Sequence, residues 1–98
     1  MTKVAERRKQ VVKQIEALRE QIDGGIPDRD TVDLGYHVLG EVAILIEYGE
    51  DLGSAGADSD ALALELTKCA LEIDPPAPQA LLERLDRIEQ AVTRSLAV

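Results

Sequence analysis

Asp33, His37 and Glu41 stand four residues apart, so on a helix they stack along one ridge, with a carboxylate on either side of the chain's single imidazole. Such a triplet could orient the histidine as a base, or offer three ligands to a divalent metal. Other features oppose that use. No serine or cysteine is spaced to act as a nucleophile beside His37, and the Glu-x-x-His pattern of carboxylate metal sites in helical bundles does not occur. A histidine flanked by acids on one face stabilises a helix without further chemistry, and that is the reading adopted. No catalytic residue, metal ligand or cofactor is assigned, and a non-enzymatic protein is expected.

The second group of interest is acidic. Glu47, Glu50 and Asp51 are followed across a short polar connector by Asp58 and Asp60. A calcium loop would need alternating oxygen ligands, a central glycine and a terminal glutamate over twelve residues, and this segment lacks that pattern. The cluster suits a basic protein instead, with Tyr48 beside it as the kind of amphipathic anchor that interfaces favour. Tyr48, Glu47, Glu50, Asp51, Asp58 and Asp60 are therefore the candidate partner-binding residues.

Charge distribution points the same way. The chain has a formal charge of -8, but residues 1–23 carry six basic and four acidic side chains, residues 28–74 two basic and twelve acidic, and residues 75–98 three of each. A middle section this acidic repels phosphate backbones and anionic membranes and steers basic proteins inward. Lys3, Arg7, Arg8, Lys9 and Lys13 form the one basic run. Without interleaved aromatics, in a chain of pI near 4.5, they do not suggest nucleic acid. Pairing with the acidic second helix, in the same subunit or another, suits them better. The opening MTKVAERRKQ runs directly into charged helix rather than an apolar signal core, and no apolar run approaches the length of a membrane span. Cys69, the lone cysteine, has no internal disulfide partner and falls in an apolar helical run, as a small core residue would. A cytoplasmic protein is expected.

The elements that must position these groups read as helices throughout. The first runs over 3–22, with Val4, Val11, Ile15, Leu18 and Ile22 at steps of three and four, a seam broken only by Arg8, and it stops at Asp23-Gly24-Gly25. The second covers about 31–52, capped by Asp30 in preference to Asp28, and ends at Gly49 or continues to Leu52. Its apolar residues make two seams, Val32, Gly35, Leu39, Val42, Ile46 and Gly49 on one and Leu34, Val38, Leu45, Tyr48 and Leu52 on the other. Two seams require neighbours on both sides, so this helix is placed at the centre. Gly35 and Gly49 read as notches where another helix comes close.

The third helix covers 59–73, with Leu62, Leu66, Cys69 or Ala70, and Ile73 as its stripe. Leu64 and Leu71 lie off that stripe, as a second buried face or as a patch open to a partner. Pro75, Pro76 and Pro78 separate it from the fourth helix at 78–96, whose seam is Leu81, Leu85, Ile88 and Val92. The expected fold is all-α, a single domain of residues 1–98 forming a four-helix antiparallel bundle with helix 2 central.

The stretch ALALELTKCALEIDPPAPQALLERL, Ala61 to Leu85, resembles the second helix of a tetratricopeptide repeat and its handover to the next unit, with Ala63, Ala70 and Pro75 at that family's small-residue and proline positions. The likeness covers about a quarter of the chain, without the upstream Trp-x-x-Leu-Gly-x-x-Tyr pattern, an aromatic at Thr67 or a 34-residue period, and reads as a local helix-proline-helix corner. The functional expectation is a protein that binds, and could mask or inhibit, a protein partner of basic character, in the manner of small inhibitor or immunity proteins. Neither nucleic acid nor membrane is expected, and a homodimer is among the assemblies open to it. One alternative is an adaptor subunit assembling through the seams of helix 1 or helix 4, and another a metal or small-molecule bundle around His37.

Overall fold

Four amphipathic segments separated by glycine- or proline-bearing connectors can each bury one stripe only against the others. The computed structural model of the protein describes residues 3–23, 25, 27–48, 52–53 and 55–96. It contains α1 (Lys3–Asp23), α2 (Arg29–Glu47), α3 (Ala55–Leu71) and α4 (Pro78–Leu96), with no strand among the described residues. The helices form an elongated bundle of 42 × 21 × 18 Å. Each packs against two others, α1 on α2 and α4, and α3 on α2 and α4, and the diagonal pairs do not meet among the described residues. Contacts run in opposite senses along neighbours. Arg7 reaches Glu41 while Gln21 lies by Thr31, and Tyr36 reaches Thr67 while Ile46 lies by Gly56, so adjacent helices are antiparallel.

The seams of α1 and α4 are as spaced in the sequence. Val11, Ile15, Leu18, Ile22, Leu81, Leu85, Ile88 and Val92 are all fully buried, while the side chain of Val4 lies outside the described residues. On α2 the two expected seams merge into one broad stripe of Thr31, Val32, Gly35, Val38, Leu39, Val42 and Leu45, shared between α1 and α3. Ile46 and Tyr48, one from each expected seam, are exposed. The two-sided packing inferred for α2 is present, but every other helix has it too, and the core lies on the axis common to all four.

Helix ends differ from expectation where local chemistry overrides the pattern. Asp28, not Asp30, caps α2: its carboxylate accepts the Thr31 amide at 2.9 Å. α2 ends at Glu47 with Tyr48 as C-cap, and Leu52 drops out of the helix into the core. Gly49 lies outside the described residues. α3 opens at Ala55, its amide bonded to the Leu52 carbonyl at 3.0 Å, so Gly56 and Asp58 belong to the helix rather than to the connector. It closes at Leu71, because Glu72 adopts a left-handed φ of 57° and the Ile73 amide turns back to the Lys68 carbonyl. Ile73 thus leaves the stripe and is exposed.

Candidate functional site

Of the ridge around His37, Glu41 is the member that holds two helices together. Glu41 Oε2 accepts a bond from Arg7 Nη1 of α1 at 2.7 Å, and its other oxygen lies 3.8 Å from His37 Nε2. His37 and Asp33 face solvent. Among the described residues no three His, Cys, Asp or Glu side chains gather closely enough to hold a metal.

The same device recurs where α4 meets α1 and α3. Arg19 on α1 grips both oxygens of Glu89 on α4, at 3.2 and 2.6 Å, and reaches Asp86 at 2.6 Å. Its bonds to Glu89, with the charges of Glu89 and Asp86, raise the guanidinium pKa above its ordinary value despite partial burial. Arg84 on α4 bonds Glu65 on α3 and lies 3.3 Å from Asp58, and Arg87 Nε lies 3.5 Å from the same Asp58 oxygen. Between α2 and α3 the link is neutral, Tyr36 to Thr67 at 2.6 Å.

These clamps divide the six candidate partner-binding residues. Asp58 turns inward, with its side chain 12% exposed between Arg84 and Arg87, so it serves the α3–α4 interface and not an open surface. The sequence carried a signal for this: Asp58 precedes Leu62 and Leu66 at helical spacing and so lies on their buried stripe once α3 is extended to Ala55. Placing the helix start at residue 59 hid it. Glu47 and Asp60 are exposed and make no ion pair with a described residue. Tyr48 is 66% exposed, its ring uncovered while its amide bonds the Ile44 carbonyl. Glu50 and Asp51 lie outside the described residues.

Ile46, also exposed, lies beside Gly56 near the start of α3, which brings the end of α2 and the first turn of α3 onto one surface. This surface offers negative charge and an uncovered aromatic ring, and among the described residues it gathers no metal-ligand set. Cys69, within α3, is buried, and burial with the nearby Glu65 charge pushes its thiol pKa up. No helix among the described residues is long and apolar enough to cross a membrane. Compared with protein-family models, curated proteins and solved structures, the chain matches none.

Proposed function

We propose that the protein is a non-enzymatic binding protein, whose acidic surface at the α2–α3 end docks a basic protein and masks or inhibits it. The supporting observation is the division of labour among charges. Arg7, Arg84 and Arg87 neutralise Glu41, Asp58 and Glu65 from within, whereas Glu47 and Asp60 have no such partner among the described residues. Glu50 and Asp51 add to the same charge in the sequence. Carboxylates left open beside the exposed Tyr48 supply long-range attraction and a short-range anchor together. A cytoplasmic setting, where a free thiol persists, goes with this reading.

The other readings have less support. The described seam residues of α1 and α4, from Val11 to Ile22 and from Leu81 to Val92, are buried in the bundle, so assembly through them would require it to open. A site around His37 would have to take Glu41 from Arg7. The test is capture from the native cell with the wild-type chain and with Glu47, Glu50 and Asp51 all changed to Lys, beside a control reversing Asp30 and Asp33. A basic partner retained by wild type and control but lost from the triple variant is expected. Equal retention by all three chains would refute docking at this end.

A further inference from the structure

The outward face of α3 is covered inside the bundle only at its edge, where half-buried Thr67 bonds Tyr36 of α2. Leu64 and Leu71 are 59% and 62% exposed, seven residues apart and in line with exposed Ala57. Between them on the same face lie Asp60, Ala61, Thr67 and Lys68. The positions 57, 60, 61, 64, 67, 68 and 71 read the same in either direction about Leu64. Laid antiparallel on a second copy with Leu64 at the two-fold axis, Leu71 would meet the partner's Ala57, Asp60 the partner's Lys68, and Thr67 the partner's Ala61. Each pairing is complementary, large on small or acid on base.

Charge selects a second copy as the occupant. Lys68 is the one basic residue of α3, and neither it nor Asp60 makes an ion pair with a described residue. Eight residues apart, they are separated by about 12 Å along the helix and cannot pair with each other within one chain. A two-fold arrangement satisfies both, twice. This strip is also formally neutral in a section that is otherwise strongly acidic, so two copies can meet here with little local repulsion. We infer that the outer face of α3 is an isologous, antiparallel homodimer interface centred on Leu64. One helix face is a small contact, so the dissociation constant should be on the order of 10–100 µM.

Sedimentation velocity over about 1 µM to about 1 mM tests this, with circular dichroism confirming that each variant is helical. Wild type should pass from monomer to dimer, and Leu64→Asp should weaken association at least about tenfold. Asp60→Lys and Lys68→Asp should each stay monomeric alone, because like charges face each other at both ends. Mixed together they should associate, because each lysine then faces an aspartate. Wild type monomeric throughout, a dimer indifferent to Leu64→Asp, or a mixture that stays monomeric would each overturn the proposal. Asp60 borders the acidic docking surface as well. Since the capture experiment leaves it untouched, failure of one proposal is distinguishable from failure of the other.

Discussion

Asp58 and Asp60 sit two positions apart on α3 and meet opposite surroundings. Asp58 is buried against two arginines, so its removal strips a hydrogen-bond acceptor from Arg84 and an ion-pair partner from Arg87, whereas Asp60 is in water. Asp58→Ala should cost about 2 kcal/mol in urea unfolding, and Asp60→Ala less than about 0.5 kcal/mol. Similar costs for both would mean that the clamp does not hold in solution. Asp28 gives a pH signature. The Thr31 amide bond holds its carboxylate below the ordinary aspartate range. The stabilisation is therefore present above the unfolded pKa, near 4, and is lost as pH falls through the lowered folded value. Asparagine can cap without titrating. Asp28→Asn should melt at nearly the wild-type temperature at pH 7 and lose less than wild type below about pH 4, while Asp28→Ala should melt several degrees lower at pH 7. Parallel acid limbs for wild type and Asp28→Asn would exclude this role for the cap.

Two glycines on α2 separate helix propensity from packing. A Cβ at Gly40 would meet nothing within 4 Å, whereas one at Gly35 would come within 2.5 Å of Leu66 Cδ1 in the fully buried core. Gly40→Ala should stabilise by about 1 kcal/mol from propensity alone. Gly35→Ala gains the same propensity but forces Leu66 to repack at a cost of about 1–3 kcal/mol, so it should be neutral or destabilising. Thermal melts that rise equally for both would show that α3 does not approach α2 so closely. Gly35 as a notch was legible in the sequence because a glycine on an apolar stripe has few other uses. So were the α1 and α4 seams, with their regular spacing, and the start of α4 at Pro78. The α2–α3 corner was not. Gly56 and Asp58 resemble turn residues, yet a helix's first turn accepts them because its amides need no intrahelical carbonyl. Leu52 fits the α2 pattern and reaches the core from the connector instead, with Gly53 at a left-handed φ of 59° beside it. The Asp58 clamp was missed with it, since arginines on α4 meet that carboxylate only through the tertiary fold.

For the molecule as a whole, arginines of α1 and α4 pair with carboxylates where the helices touch, and Glu47 and Asp60 stay exposed at the α2–α3 corner. The bundle topology follows from stripes and short connectors. On the proposed reading, the open carboxylates beside Tyr48 select a partner by charge. Attraction of this kind is screened within about 10 Å at 0.1 M salt, so it must be visible in ionic strength. The most direct measurement is the affinity of the captured partner for the wild-type chain across a salt series. If the acidic end of the bundle holds it, the association constant should fall at least about tenfold between about 50 mM and about 300 mM salt, and the Glu47, Glu50 and Asp51 reversal should bind weakly throughout. An affinity that stays constant across that range, or that is equal for the two chains, contradicts docking through these carboxylates.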